Sequence, residues 1–262
     1  ETFPMTVNHD DLWSFEGKNV PIHWHNDLEI NLIREGEAVF QVYQKSYRVR
    51  TGEGFLLNRN VPHSCSSPGN EHVRYSTILV RPDFLYGDFG SDVERKCFQP
   101  FLQNSAIPCI HLTGFDENGK EILWKLNQVE EAFDRKRFCY ELKIKGLLCE
   151  AFAMILYGHR QELTKFVPAN LQELERLEKM LNYLNMHFTE VISLQDLADQ
   201  VHLSREVCCR LFKKMTGKTI TGYLEEYRVN KSFSLVQSGQ YSMTQITEMV
   251  LSLIHISEPT RP

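Results

Sequence analysis

The spacing of apolar residues changes part-way along this chain. Between residues 20 and 80, apolar and polar residues alternate in short runs that turn residues interrupt about every 8–12 positions, a pattern typical of β-sandwiches and β-barrels. From residue 117 onward, apolar residues recur every three or four positions, as they do on one face of an α-helix. The change predicts an α+β protein in which a β domain is followed by helices.

Five strands and two helices are predicted before residue 160. The helices begin near Glu117 and Cys139, and each has an apolar face that needs a partner. This partner is either the β domain of the same subunit or a second copy of the chain, and the pattern leaves both explanations open. Residues 82–113 show a mixed pattern that predicts no particular element. The predicted strands cover residues 29–35, 38–43, 46–50, 54–57 and 74–80.

Length and composition exclude several classes of protein. A chain of 262 residues corresponds to about two domains, and 42% hydrophobic with 24% charged residues exclude a disordered or collagen-like chain. The longest mostly apolar stretch, residues 147–157, is shorter than the ~18 residues of a membrane span. No secretory signal is visible, and seven irregularly spaced cysteines are typical of reduced thiols. We therefore expect a cytoplasmic protein that does not bind membranes.

A break in the helical pattern separates two predicted domains. Pro168 interrupts the periodicity, which resumes near Leu174. We predict a first domain over residues 1–160, a linker over residues 161–172 and a helical domain over residues 173–250.

Residues 194–211 have the spacing of a helix-turn-helix. Apolar Leu197 and Ala198 on the first helix and Cys208 on the second would form the wedge that fixes the angle between them. Ser204 is placed to cap the second helix. The residues expected to point outward from the second helix are Arg205, Glu206, Cys209, Arg210 and Lys213.

Positive charge is concentrated around this second helix, although the whole chain has a net charge of −5. Residues 205–218 contain five basic residues and one acidic residue, whereas residues 171–250 contain nine basic and ten acidic residues. Basic residues in this position could contact the phosphates of DNA. The alternative is the ordinary solvated face of a helical pair, because helix-turn-helix spacings also arise by chance.

The pattern of the helical domain continues past the helix-turn-helix. After the second helix ends at Gly217, a long helix follows over about residues 221–238. Residues 193–198, 203–204, 211–217, 223–224, 227–231 and 245–246 match one family of proteins. By these segments the domain resembles the AraC family of bacterial transcription regulators. The resemblance implies a DNA-binding domain of two helix-turn-helix units joined by this long helix, with two recognition helices in successive turns of the major groove.

The end of the chain departs from the family pattern. After Val250 the sequence has no helix cap, no basic face and no glycine. We expect residues 251–262 to be a non-native tail derived from a sequencing adaptor. The second helix-turn-helix unit, which opens near Tyr241, would then be truncated.

The β domain contains a second group of chemically capable residues. His23 and His25 on a strand would point the same way, into a barrel, while Trp24 points out. We therefore predict a cupin-like β-barrel with two appended helices, followed by an all-α helix-turn-helix domain. The residues Gly17, His23, His25, Glu29 and Gly36 fit the first cupin motif, and His63 stands where the second motif supplies a fourth residue.

Three explanations of His23, His25, Glu29 and His63 stay open. The residues could line a polar pocket for a small effector, which the family resemblance favours. They could hold Fe(II), Mn or Zn in a metal-dependent cupin enzyme, because imidazole and carboxylate groups suit these ions. Such an enzyme would leave the helical domain unexplained, and no residue identifies its substrate. The histidines could also be purely structural.

Together these features predict a regulator that is not an enzyme, needs no cofactor and binds double-stranded DNA as a homodimer. A small effector in the cupin pocket would control DNA binding, and family analogy suggests a sugar. The two helices that follow Glu117 would mediate dimerisation. We assign base-edge contacts to Arg205, Glu206, Cys209 and Arg210, and phosphate contacts to Lys213, Lys214 and Lys218.

Overall fold

The computed structural model describes residues 3–69, 71–168 and 170–238. In this part of the chain, nine strands form two sheets in which every pairing is antiparallel. The strands are β1 (Met5–Asp11), β2 (Asn19–His23), β3 (Leu28–Glu35), β4 (Glu37–Val42), β5 (Lys45–Arg50), β6 (Gly54–Leu57), β7 (His63–Ser66), β8 (Arg74–Val80) and β9 (Cys109–Leu112). The five-stranded sheet has the order β1-β8-β3-β6-β9, and the four-stranded sheet has the order β2-β7-β4-β5.

The two sheets enclose a common core. Because side chains alternate along a strand, Phe40 and Val42 of β4 point inward, as does Phe55 of β6. Phe40 and Phe55 stack with their ring centroids 4.7 Å apart. The predicted cupin-like β domain is therefore confirmed.

The helices of the described residues form two groups, one on each side of the β domain. They are α1 (Pro82–Tyr86), α2 (Gln99–Leu102), α3 (Glu117–Arg135), α4 (Tyr140–Gly158), α5 (Arg160–Leu163), α6 (Leu171–Met186), α7 (Leu194–Gln200), α8 (Arg205–Thr216) and α9 (Ile220–Ser238). None of these described helices is both long enough and apolar enough to cross a membrane.

Helices α3 and α4 belong to the first group and share a core with the five-stranded sheet. The side chains of β3 that face away from the barrel interior, such as Ile30 and Leu32, are buried with Leu126 of α3 and Phe152 of α4. The apolar faces predicted for the two helices are thus mostly covered within the subunit.

Helices α6 to α9 form a second core on the other side of the molecule. It contains Met180, Ala198 and Phe212, all fully buried. Ile22 and Trp24 from the end of the four-stranded sheet pack against this core. The four-stranded sheet therefore has the barrel interior on one face and helices α6 to α9 on the other.

The predicted elements match the structure closely. All five predicted strands and both predicted N-terminal helices are present, with bounds within one residue. The alternation does not reveal β1, β2, β7 or β9, which are short or carry polar residues on both faces. The segment predicted as a linker, residues 161–172, overlaps the short helix α5 and the start of α6. The Ser105 N–H donates to Val167 O in this segment at 2.7 Å.

Two predictions fall on residues that lie outside the described ranges. They are the helix that opens near Tyr241, which would begin the truncated second unit, and the non-native tail over residues 251–262.

Candidate functional site

Three imidazole rings and one carboxylate meet between the two sheets. His23 ends β2 opposite His63, the first residue of β7, and their ring centroids are 4.2 Å apart. Glu29 reaches the same point from β3 of the other sheet, and His25 from the loop after β2. The ligating atoms of these four side chains all lie within 4.8 Å of one another. The structure brings together all four residues that the sequence assigns to one site, and we call them the histidine cluster.

An irregularity in β2 turns His23 inward. Val20 pairs with Cys65 and His23 pairs with His63, so three steps along β2 match two steps along β7. Such a bulge lets two residues at an odd spacing face the same side of the sheet. The next residue, Trp24, packs in the opposite direction, against the core of helices α6 to α9.

The backbone fixes which nitrogen of each ring faces the cluster. In all three histidines, Nδ1 lies within 3.0 Å of a backbone carbonyl oxygen two residues away. A carbonyl oxygen only accepts hydrogen bonds, so each Nδ1 carries a proton and donates it. The Nε2 atom of each ring is therefore the one that points into the cluster.

Glu29 is a buried carboxylate held by several partners. Its Oε2 is 2.7 Å from His25 Nε2, and its Oε1 accepts a hydrogen bond from Asn31 Nδ2 at 2.7 Å. Burial alone would raise the pKa of Glu29, but its contacts with His25, His63 and Asn31 hold that pKa well below its ordinary value. Burial would lower the pKa of His25, but Glu29 raises it, whereas burial and His63 lower the pKa of His23. His25 and Glu29 therefore each favour the charged form of the other.

One buried nitrogen of the cluster has no hydrogen bond within the part of the chain that the structure describes. Nε2 of His63 lies 3.4 Å from Glu29 Oε2, a contact that lacks hydrogen-bond geometry. Among the described residues it has no other hydrogen-bond partner. Buried polar atoms are nearly always satisfied, so this nitrogen is available to a ligand.

Asn31 also belongs to the site, although we do not predict it from the sequence. It lies two residues after Glu29 on β3, is 1% exposed, and donates to the carboxylate. The Thr77 hydroxyl lies 3.1 Å from Asn31 Oδ1 and 2.9 Å from Asp10 Oδ2, and its single proton is donated to one of these oxygens at a time. The sequence does contain a signal for Asn31. It is a polar residue two positions after Glu29, and residues two apart on a strand lie on the same face.

A cavity lies between the β domain and the second group of helices. Its volume is about 710 Å³, and Tyr43, Tyr47, Asn104, Lys214 and Met215 are among the residues that line it. None of the four cluster residues lines this cavity. The cluster itself is compact, with its donor atoms close together.

Capping residues define the helix-turn-helix. Ser193 accepts a hydrogen bond from the Asp196 N–H at 3.0 Å before α7, and Ser204 accepts one from the Val207 N–H at 3.4 Å before α8. His202 in the turn has a φ of +53°, which few residues other than glycine adopt. Helix α8 is therefore the second helix of the motif, and we call it the recognition helix.

The recognition helix exposes the side chains that the sequence assigns to DNA. Lys214 is exposed as well, but its Nζ lies 2.6 Å from Glu173 of α6, and Lys218 pairs with Glu226 of α9. To bind a phosphate, Lys214 would have to release Glu173 and Lys218 would have to release Glu226. The remaining predicted residues are all exposed, and they are Arg205, Glu206, Cys209, Arg210 and Lys213.

Known proteins resemble the chain over most of its length. Residues 12–108 match the family model described as the AraC-like ligand binding domain. The HTH-type transcriptional regulator YdeC of Bacillus subtilis is 28% identical over 232 residues, which are 88% of this chain and 78% of YdeC. The HTH-type transcriptional activator RhaR of Escherichia coli is 23% identical over 236 residues, covering 86% and 76%. The chain thus resembles an AraC-family transcription regulator in its ligand-binding domain and over most of its length. A crystal structure of ToxT from Vibrio cholerae covers 96% of this chain and 91% of ToxT, with 15% identity and a TM-score of 0.45.

The β domain contacts the end of the recognition helix. Gln44 Nε2 donates to the carbonyl oxygen of Lys213 at 3.3 Å. A Cβ atom at Gly217 would lie 2.6 Å from Tyr43 O, and the φ of Gly217 is +73°, so glycine fits there best. The turn between β4 and β5 therefore lies directly against the end of α8.

Proposed function

We propose that this chain is an AraC-family transcription regulator that binds double-stranded DNA through α8, and that a small effector at the histidine cluster controls this binding. The relatives YdeC and RhaR are named as transcriptional regulators, and the matching family model describes a ligand-binding domain. One observation carries the proposal. The four-stranded sheet has the histidine cluster on one face and the helix-turn-helix core on the other.

The DNA contacts are divided between reading and positioning. The early residues of a recognition helix enter the major groove, and an arginine there can donate two hydrogen bonds to one guanine. Lysines nearer the end of the helix would bind phosphates and set the orientation of the protein. We assign base edges to Arg205, Glu206, Cys209 and Arg210, and phosphates to Lys213, Lys214 and Lys218.

Trp24 offers a direct connection between the two halves. It lies between His23 and His25, whose rings face the cluster, while its own ring packs against the helical core. A ligand that moves these histidines would therefore move Trp24. An effector changes DNA binding only if it binds two arrangements of the protein with different affinities. We propose that the arrangement with Gln44 against the end of α8 is one of the two.

A homodimer would use helices α3 and α4. Trp124 of α3 is 57% exposed and Leu142 of α4 is 72% exposed, so both helices retain apolar surface beyond the faces buried in the subunit. Apolar surface of this kind on a helix pair is typical of protein–protein contacts. Dimerisation through these helices would present two recognition helices to two DNA half-sites.

We further propose that the chain catalyses no reaction. Its relatives are named as regulators, and an enzyme of the cupin type would leave the exposed basic residues of α8 without a role. A sugar is the effector that family analogy suggests. It would bind through hydrogen bonds to the imidazoles and the carboxylate of the cluster.

The DNA-binding part is tested by selection and substitution. The full chain would first select a binding sequence from a pool of random DNA duplexes, and the selected duplex would serve as the probe in mobility-shift titrations. We expect Arg210→Ala to lose ~1–3 kcal/mol and to relax preference at one base pair. Lys179→Ala removes the same charge from an exposed position on α6 and should leave affinity and preference unchanged. If Arg210→Ala lowers the affinity for all DNA sequences equally, Arg210 instead contacts phosphates.

A further inference from the structure

We infer that the histidine cluster binds a single divalent transition-metal ion through Nε2 of His23, His25 and His63 and a carboxylate oxygen of Glu29. The ion would be the ligand of the site that controls DNA binding, so its regulatory meaning rests on the proposed function. The inference that the ion binds to the cluster does not depend on that function. Three observations support the inference, and each concerns the geometry of the four side chains.

The first observation is the orientation of the three rings. A histidine that binds a metal through one nitrogen normally donates its other N–H to a carbonyl or carboxylate, which fixes the ring and its tautomer. All three histidines of the cluster donate Nδ1–H to a backbone carbonyl oxygen at 2.8–3.0 Å. The backbone carbonyls of Pro21, Asp27 and Val61 therefore hold three Nε2 atoms toward one point.

The second observation is the size of the site. Two nitrogen ligands of one ion, each ~2.1 Å from it, can be at most about 4.2 Å apart. The donor atoms of the cluster lie within 4.8 Å of one another, so a small inward movement would bring all four to one ion. His25 Nε2 and Glu29 Oε2 already lie 2.7 Å apart, so the space between the four donors suits a single ion. The ion would replace the proton that this hydrogen bond holds, and the proton would pass to solvent.

The third observation is the unsatisfied nitrogen. Nε2 of His63 is buried without a hydrogen bond among the described residues, although it points at the other donors. A metal ion at the centre of the cluster would satisfy it. Asn31, which donates to the second oxygen of Glu29 at 2.7 Å, would orient the carboxylate in the way that outer partners orient metal ligands.

The donor set selects the class of ion. Imidazole suits zinc, copper, iron and nickel, whereas calcium and magnesium prefer sites made only of oxygen. Three nitrogens and one carboxylate oxygen therefore favour a first-row transition metal over the abundant alkaline-earth ions. We choose Zn²⁺ as the probe because it has no redox chemistry that would complicate the measurement.

The test uses the full chain, freed of metal with a chelator and then titrated with Zn²⁺ against a competing chromogenic chelator. We expect one ion per chain. Glu29→Gln and His25→Gln should each weaken binding by at least ~100-fold, the upper end of what loss of an outer partner costs. His9→Gln, a matched change in an exposed group of His9, Glu130 and Asp134, should leave the affinity unchanged. Far-ultraviolet circular dichroism would check that each variant is folded.

Two results would overturn the inference. One is a wild-type chain that binds no Zn²⁺, and the other is binding that survives both cluster substitutions or is lost with His9→Gln. X-ray absorption of the Zn²⁺-loaded wild-type chain gives an answer even if the variants fail to fold. We expect about three nitrogens and one oxygen at ~2.0–2.2 Å, and a shell without imidazole would contradict the site.

The same protein separates this inference from the proposed function. If Zn²⁺ binds the cluster but leaves affinity for the selected duplex unchanged, the metal site stands and its control of DNA binding is wrong. If Zn²⁺ does not bind, but a sugar changes DNA affinity and Glu29→Gln abolishes this change, the regulatory site stands and the metal site is wrong.

Discussion

Two groups of histidines and carboxylates in this chain are alike in composition and different in geometry. The histidine cluster lies between two sheets, and only 2% of the His63 side chain and 8% of the Glu29 side chain are exposed. The other group consists of His9, Glu130 and Asp134, and 55% of the His9 side chain is exposed. Sequence composition alone would not rank one above the other as a ligand site.

Hydrogen bonding explains which group is suited to a ligand. His9 uses one ring nitrogen on Ser76 at 3.3 Å and the other on Asp134 at 3.2 Å, and Glu130 is already paired with Arg34. In the histidine cluster, backbone carbonyls occupy every Nδ1 and leave each Nε2 directed inward. The comparison teaches that the partner of the second nitrogen, more than the residue types, distinguishes a ligand site from a surface network.

The largest effect should come from removing half of the histidine cluster. We expect the double substitution His25→Ala and Glu29→Ala to abolish any change in DNA affinity caused by Zn²⁺, while binding to the selected duplex persists. Both partners of the buried contact between His25 and Glu29 are removed together, so no unpaired buried charge remains. The matched double substitution His9→Ala and Asp134→Ala should keep the full response. An unchanged response in the first variant would remove the cluster from the mechanism.

The next effect should come from the residue that orients the carboxylate. Asn31→Ala should weaken Zn²⁺ binding by ~10–100-fold, as expected for loss of an outer partner, while the three imidazoles still ligate. Asn127→Ala is the control, because Asn127 plays a similar part beside the exposed group, where it accepts from Arg34 at 2.5 Å. Competition titrations would measure the Zn²⁺ affinity of both variants. Equal affinities in the two variants would mean that Glu29 needs no support from Asn31.

A smaller effect is expected from the residue that connects the cluster to the helices. Coupling between two sites is typically ~1–3 kcal/mol, and Trp24→Ala should reduce the Zn²⁺-dependent change in DNA affinity by about tenfold, or ~1.4 kcal/mol. Zn²⁺ affinity itself should stay within twofold, or ~0.4 kcal/mol. Trp13→Ala changes an exposed tryptophan of the same domain and should preserve the coupling. If both variants keep the full Zn²⁺-dependent change in DNA affinity, residues other than Trp24 couple the cluster to the helices.

The smallest effect is expected at the exposed group. An ion pair at the surface contributes little to stability, so His9→Ala should lower the free energy of unfolding by less than ~1 kcal/mol. Urea unfolding followed by circular dichroism would measure this change. A loss of several kcal/mol would contradict this expectation. It would mean that the hydrogen bonds of His9, Glu130 and Asp134 stabilise the fold, a role that differs from the ligand binding inferred for the histidine cluster.

Periodicity in the sequence predicts the parts of the fold that have one apolar face. The strands around Phe40 and Phe55 and the helices around Leu126 and Phe152 are found where alternation or helical spacing predicts them. The histidine cluster is likewise predictable as a group, because the spacing of His23, His25 and Glu29 places them close together once a barrel forms. Their roles as ligand groups remain predictions.

The remaining features depend on contacts between distant parts of the chain. The bulge in β2 depends on how Val20 and His23 pair with β7, and the pairing of Lys214 with Glu173 joins residues 41 positions apart. Spacing alone places Asn31 on the same face of β3 as Glu29, but its contact with Thr77 exists because β3 lies beside β8. Local sequence patterns carry no information on such pairings, so the partners of Lys214 and Asn31 emerge only from the structure.

Strand β7 is constrained on both of its faces. His63 and Cys65 belong to the barrel interior, while Ser64 and Ser66 line a small cavity against Thr216 and neighbouring residues of the helices. Successive side chains of a strand point to opposite faces, so a one-residue insertion or deletion exchanges the two sets. Such a change before His63 would withdraw an imidazole from the cluster and at the same time push a histidine and a cysteine toward the DNA-binding helices. This short strand should therefore tolerate substitutions far better than changes in its length.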